Sequence, residues 1–414
     1  MKASRMRILW VKAGGLVPPD TGGKIRSYNI LRELARQHSV TFFSFHAAND
    51  NDVHAELERI FSQVVLVPLR LPAAKSAAEM LEYAGRLFSS DPYGITKYCR
   101  PEVRRRLQKV LNENDYDVIV CDFMAAAGVI PWHSQTPKVL FTHNVEAMIW
   151  RRHYEVAANP VWKMISLREW RKMEAAELRY LRLADRALTV SETDRDAFAK
   201  FLEPAKLTVI PTGVDVEYFR PLEVDEIPNS LVFTGSMDWL PNEDGIFYFA
   251  DAILPLIRKE YPDISLEVVG RNPSRKLQSL AEGDKNIRLT GWVADIRPFL
   301  ARGSICIVPL RIGGGTRLKI FEAMAMGKAT VSTSIGAEGL PVQSGENIIL
   351  ADAPADFANS VISLLRDAQQ RSRLGNQART LVQEKYSWSK VAESFARTLQ
   401  EVANQSRVAQ PSKL

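Results

Sequence analysis

The chain has 414 residues, 46% of them hydrophobic and 25% charged, with 54 Lys and Arg against 48 Asp and Glu and a formal net charge of +6. That is material for roughly two to three domains with real cores, so a disordered or fibrous chain is excluded. No apolar run approaches the ~20 residues of a membrane span, and the start MKASRMRILWVKAGG is too weakly apolar for a secretory signal.

The predicted elements alternate short apolar strands with helix-period segments, the pattern of parallel sheets covered by helices. Strands are expected at residues 7–11, 40–45, 64–67, 118–121, 139–142 and 187–190, with helices at 24–37, 101–112 and 162–182. After the turn Ile-Pro-Thr-Gly at 210–213 and an acidic, Pro-containing stretch at 221–229, the pattern restarts. Strands then fall at 231–234, 266–269, 287–290, 305–308, 330–332 and 348–350, with helices at 243–258, 318–326 and 356–367. A last helix is expected at 388–402, followed by a polar, frayed end at 403–414. The expected class is α/β, two doubly wound Rossmann-like domains joined near residues 204–229. The division is residues 1–205, residues 206–385, and a C-terminal segment 386–414 packing back toward the first domain.

Charge is unevenly shared. Residues 1–210 carry 31 Lys and Arg against 24 Asp and Glu, net +7, and the remainder is net −1. A basic half suits an anionic partner: nucleic acid, lipid headgroups or a phosphorylated acceptor. The run Arg104, Arg105, Arg106 and the segment WKMISLREWRKMEAAELRYLRL point to contact with an anionic membrane, whereas an ordinary helix would bury Met164 and Leu167. The cysteines Cys99, Cys121 and Cys306 lie far apart, which argues against disulfides or structural zinc and fits buried apolar residues in a reducing compartment.

Ligands of such sheets bind beyond the carboxyl ends of the strands, so the residues there are the candidates. Gly22 and Gly23 precede a helix whose first turn holds Lys24 and Arg26, an arrangement that lets backbone N–H groups and two cations hold an anion. The G-x-G-x-x-G fingerprint is absent, which disfavours a nicotinamide oxidoreductase. His143 ends a strand and is followed by Glu146; these two are too few for a metal site. Gly313, Gly314, Gly315 and Thr316 follow a buried strand and lead into a helix opening with Arg317, Leu318 and Lys319, with Glu322 one turn in. Three glycines, a helix start and two cations suit a pyrophosphate, and a carboxylate there can accept two ribose hydroxyls. The Lys-Ser/Thr ending of a Walker A loop is missing. Gly270 with Arg271, and Gly291, Trp292 and Val293, put small residues where a base edge could be bonded.

With these residues assembled, the chain resembles the retaining nucleotide-sugar glycosyltransferases of GT-B fold, family 4, over nearly its whole length. The resemblance is carried by PPDTGGKIRS, FTHNVEA, VIPTGVDVEYFRP, FTGSMDW and, most specifically, VPLRIGGGTRLK followed by EAMAMGKATVST. It implies two domains facing each other across a cleft, with an NDP-sugar on the second and an acceptor on the first. Gly22, Gly23 and Lys24 would approach phosphates or acceptor, with His143 and Glu146 beside them. His143 would contact the transferred sugar and Glu322 the ribose; the backbone around Arg317, Leu318 and Lys319 would hold the diphosphate. Gly235 and Arg271 would border the donor, and Gly291 and Val293 would lie near the base. No cofactor and no bound metal are implied. Attack from the front face, with a β-phosphate oxygen taking the acceptor proton, requires no strong protein base.

The chain departs from the common pattern in having Gly314 in place of a first glutamate, and Ser236 and Asp244 in place of an Arg and a Lys. Arg317 and Lys319 are expected to supply the missing charge. The expected function is sugar transfer to a glycan or polyprenyl-linked acceptor in bacterial polysaccharide or exopolysaccharide assembly, in the cytoplasm or on the inner face of the membrane. A soluble acceptor, a nucleotide-sugar epimerase and a non-catalytic partner subunit are the alternatives; nucleic-acid binding is disfavoured because no basic track carries stacking aromatics.

Overall fold

The computed structural model describes residues 5–46, 51–73, 76–157, 159–312 and 318–409. They form two compact units, the first Met1–Pro211 with Val391–Leu414 and the second Thr212–Lys390. The expected glycine loop at Gly313, Gly314, Gly315, Thr316 and Arg317 lies outside the described residues.

The first unit is built on a seven-stranded parallel sheet: β1 (Arg7–Ala13), β2 (Ser39–His46), β3 (Gln63–Pro68), β4 (Val118–Asp122), β5 (Lys138–Phe141), β6 (Arg186–Thr189) and β7 (Leu207–Val209). Its order is β3-β2-β1-β4-β5-β6-β7, so the winding reverses between β1 and β4. Loops leave that point in opposite directions and open a crevice there. Side chains alternate across each strand. Leu9, Val11, Ile119, Cys121 and Leu140 join the core under the helix Pro101–Glu113, while Trp10, Val120 and Phe141 lie on the opposite face. β7 was not expected, because three residues are too short to show a period. It also turns part of the expected linker into sheet.

The second unit repeats the plan with β8 (Ser230–Thr234), β9 (Ser265–Val269), β10 (Ile287–Leu289), β11 (Ile305–Val308), β12 (Thr330–Ser332) and β13 (Ile349–Leu350), in the order β10-β9-β8-β11-β12-β13. Its reversal lies between β8 and β11. The helix expected at 243–258 is interrupted, running as Leu240–Tyr248, a π-helical turn Phe249–Ile253, and Leu254–Arg258. Pro255 has no N–H to continue the ladder, and the wider turn absorbs the mismatch.

The frayed end expected from residue 403 is corrected: one helix runs Trp388–Ala409. Val391, Phe395, Leu399, Val402 and Ala403 are all buried along one stripe, and that burial holds the last turns in register. In the helix Pro160–Leu183, Met164 is exposed rather than buried; the buried side begins at Ser166 and continues through Glu169, Met173, Ala176 and Tyr180. Cys121 and Cys306 are buried and Cys99 half-buried, all as free thiols. No helix among the described residues is long and apolar enough to cross a membrane.

Candidate active site

At the reversal of the first sheet, strand register places Lys12 of β1 opposite Asp122 of β4. Partners in a parallel ladder project to the same side, so the two side chains meet. Lys12 Nζ lies 2.8 Å from Asp122 Oδ2, with both residues buried. The same oxygen accepts from Trp10 Nε1 at 3.0 Å and Ser27 Oγ at 2.7 Å, and Oδ1 lies 2.7 Å from His143 Nε2. Burial alone would raise the Asp122 carboxyl; Lys12 and His143 outweigh it and hold the group well below the usual carboxylate range.

His143 ends the β5 segment, as expected, but both its nitrogens are occupied. Its Nδ1 lies 2.9 Å from Arg26 Nη1. A guanidinium can only donate, so Nδ1 is the acceptor and Nε2 carries the hydrogen given to Asp122. Burial, with Arg26 and Lys12 nearby, pushes the imidazole down to about 3 against the pull of Asp122. This neutral ring is not a general base, and contact with a sugar requires one nitrogen to be released. Arg26 was expected to hold an anion at the helix start; it is instead buried against His143, and burial lowers it to about 10.

Phe123, the first residue after β4, stacks on His143 with ring centroids 3.7 Å apart and planes 3° apart. Its backbone φ is 71°, a conformation that costs a non-glycine residue of order 1–3 kcal/mol and persists only where its surroundings fix it. Gly23 is part of that fixing, since a Cβ there would come within 2.4 Å of Phe123 Cζ, whereas Gly22 faces open space. The need for Gly23 is thus one of packing.

Phe123 forms one wall of a cavity of about 360 Å³ at this sheet end, lined also by Gly14, Gly15, Thr21, Lys24, Glu146 and Trp150. Lys24 and Glu146 were both expected here. Lys24 is paired with Asp20 at 3.0 Å. Glu146 opens the helix Glu146–Val156, and burial raises its carboxyl. The N–H groups of Glu146 and Ala147 are capped by Glu177 Oε1 at 2.6 and 3.4 Å, although burial pushes Glu177 up to about 8.

In the second unit the reversal point is again occupied by glycine and cations. Gly235 follows β8 with φ 155°; a Cβ on it would meet Lys319 Nζ and Asn242 Nδ2, each at 2.7 Å. Lys319 Nζ donates to Asn242 Oδ1 at 2.7 Å and lies 3.9 Å above the Phe233 ring. Arg271 Nε donates to Ser236 Oγ at 3.0 Å. Two cations therefore stand at the strand end where Ser236 replaces the family's arginine. Asp244, in the place of a lysine, is itself paired with Arg311 at 2.6 Å. Glu322 lies one turn beyond Lys319 on the helix Leu318–Ala325; burial pushes its carboxyl up to about 7 against Lys319, and no described side chain hydrogen-bonds to it. Gly291, with φ 67°, bridges to Gly270, leaving Trp292 exposed and Val293 half-buried. Among the described residues no group of three His, Cys, Asp or Glu could hold a metal ion.

Sequence reasoning missed Lys12, Asp122, Phe123 and Asn242. Lys12 and Asp122 had a signal, as charged residues at the ends of apolar strands. Asn242 had none.

Comparison with known proteins places both units. A family described as Glycosyltransferase Family 4 matches residues 21–218, and one described as Glycosyl transferases group 1 matches residues 228–367. The chain belongs to the group 1, family 4 glycosyltransferases. Among the relatives of this glycosyltransferase, an uncharacterised 44.6 kDa protein in the cps region of Klebsiella pneumoniae is 22% identical over 302 residues, 70% of this chain and 76% of that one. An MMP α-(1→4)-mannosyltransferase of Mycolicibacterium hassiacum is 28% identical over 58% of this chain and 60% of its own length. HepE of Anabaena, solved with UDP, covers 96% of this chain and 100% of its own with a TM-score of 0.66 at 16% identity, a likeness of fold alone: GT-B.

Proposed function

We propose that this glycosyltransferase moves a sugar, with retention, from a nucleoside-diphosphate-sugar held by the second unit to a hydroxyl of a glycan or polyprenyl-linked acceptor held by the first. The observation that carries the reading is the convergence of Lys319 and Arg271 on the glycine-ended strand β8, with the carboxylate of Glu322, to which no described side chain hydrogen-bonds, one helical turn from Lys319. This is a receptor for a diphosphate joined to a vicinal diol. In the reaction the bond from C1 to the diphosphate oxygen breaks and a bond from C1 to the acceptor oxygen forms. The acceptor proton passes to a β-phosphate oxygen. The negative charge that grows on the departing diphosphate is met by Lys319 and Arg271, so no divalent cation is called for. His143, neutral and tied at both nitrogens, keeps Phe123 in place at the wall of the acceptor cavity and takes no proton.

Relatives support the chemistry: HepE is solved with UDP and with UDP-glucose, and other relatives are named mannosyltransferases. The cps-region relative supports a place in polysaccharide assembly. The test is a thermal-shift panel of UDP, GDP, ADP and CMP with their sugar conjugates, with and without EDTA. A ligand at ~100 times its dissociation constant stabilises by about 2.7 kcal/mol. One base is expected to stabilise, insensitive to EDTA, and Glu322→Gln is expected to lose the effect. Silence across the panel would overturn the reading in favour of a non-catalytic subunit.

A further inference from the structure

The first turn of the helix Leu240–Tyr248 places a neutral amide beside the lysine at the end of β8. Asn242 is buried, and both polar atoms of its side chain are bonded. Its Nδ2 donates to the Ser236 carbonyl at 2.8 Å, and its Oδ1 accepts from Lys319 Nζ at 2.7 Å. A carbonyl oxygen only accepts and an ammonium only donates, so the amide has a single orientation here. Ser236 fixes the amide, and the amide fixes the lysine.

Two further neighbours confine the ammonium without cancelling its charge. It lies 3.9 Å above the ring of Phe233, itself fully buried, and a Cβ on Gly235 would come within 2.7 Å of it. The face of an aromatic ring attracts a cation through its quadrupole and carries no net charge. Glycine at 235 leaves the room that the lysine and the amide occupy together.

The chain around Asn242 is rich in acids, and each has a partner elsewhere. Asp238 accepts from Ser236 Oγ at 2.6 Å and from Asn272 Nδ2 at 2.9 Å. Glu243 accepts from Ser274 Oγ, and Asp244 from Arg311 Nη2 at 2.6 Å. Arg271, the other cation at this strand end, lies 4.0 Å from the Asp238 carboxylate. Lys319 is held by an uncharged residue instead. Glu322, one turn further along its helix, is pushed up to about 7 by burial, and no described side chain hydrogen-bonds to it. A carboxylate at position 242 would draw Lys319 into an ion pair and neutralise it, whereas an amide holds it and leaves its charge to an incoming anion.

We propose that Asn242 is a positioning residue for the transfer, aiming Lys319 at the diphosphate of the donor while leaving the charge of the ammonium uncancelled. The inference deepens the reading of the second unit as the donor unit and rests on it.

The experiment is calorimetric titration of the full chain with the nucleoside diphosphate that the thermal-shift panel selects, and with its bare nucleoside. Asn242→Asp, nearly the same in shape, is expected to weaken the diphosphate by about tenfold or more and to leave the nucleoside within about twofold, because only the charge offered to phosphate is lost. Asn242→Ala, Lys319→Ala and the double variant close a cycle. Since Asn242 acts through Lys319, the double variant is expected to bind the diphosphate no more weakly than Lys319→Ala alone. Asn242→Asp that binds the diphosphate like wild type, or that loses the nucleoside to the same degree, overturns the proposal. So does a double variant whose loss is the product of the two single losses. Should near-ultraviolet circular dichroism show that Asn242→Asp does not fold, the cycle alone decides. A wild type silent to every nucleotide overturns the transferase reading and this role with it, whereas a wild type that binds and a cycle without coupling overturn this role alone.

Discussion

The buried carboxylate of Asp122 offers the sharpest test of the first unit. It accepts four hydrogen bonds, from Trp10, Lys12, Ser27 and His143, and three of them fall on one oxygen. In Asp122→Asn the amide must either turn its NH₂ toward that trio or toward His143 Nε2–H. Ser27 can reverse its hydroxyl; the Trp10 N–H and the Lys12 ammonium cannot. The variant therefore leaves a buried ammonium without its counter-charge and at least one donor facing another. Removing one partner of a buried pair costs about 3–5 kcal/mol. At about 2–4 °C per kcal/mol for a unit of this size, the melting transition of the first unit should fall by roughly 6–20 °C.

The pH dependence has a fixed sign. The folded Asp122 carboxyl lies below its unfolded value of about 3.9, so its stabilisation is complete above that value and is lost as pH falls through the lower, folded one. Calorimetry of both proteins should show the full gap at neutral pH and a narrowing gap in acid. Asp244→Asn, which breaks the more exposed pair with Arg311, is the control and should cost less than about 1 kcal/mol. Melting of Asp122→Asn within a degree or so of wild type, or a gap that widens in acid, would refute the account.

Gly23→Ala drives a methyl into Phe123 and should cost about 1–3 kcal/mol in a melting experiment, with near-ultraviolet circular dichroism reporting the displaced ring. Lys319→Ala should weaken a nucleoside diphosphate by about tenfold or more while leaving the bare nucleoside unchanged, as calorimetric titration can show. The raised Glu322 carboxyl means that the folded protein keeps a proton, between its ordinary value and about 7, that the unfolded chain releases. Ligand-free stability should therefore fall as pH rises through that window, and urea titrations of Glu322→Gln should show a flatter profile.

Periodicity was enough to find twelve of the thirteen strands among the described residues, because fully buried parallel strands are nearly continuous apolar runs, whereas the strand order and its two reversal points came only with the structure. What stayed hidden depended on partners far apart in sequence. Arg26 reads as an anion ligand beside Lys24, and only the meeting of β4 and β5 supplies the Asp122 and His143 that draw it inward. Gly23 reads as a phosphate turn until Phe123 arrives from a hundred residues away. Lys319 could be proposed from its spacing, but Asn242 could not, since its bond to Lys319 joins two helices. The uncovered helix Ala77–Gly85 left no sign because an apolar residue looks the same in sequence whether its face is buried or bare.

The last helix gives the first unit an unusual order of manufacture. Phe395 packs on Trp10 and Phe141 with ring centroids 5.4 and 5.2 Å away, and all three rings are fully buried. On the ribosome, Trp10 and Phe141 emerge long before Phe395. The core on that face of the first sheet is therefore completed only after the whole second unit has been translated. A chain that stopped before residue 391 would leave Trp10 and Phe141 without the ring that covers them.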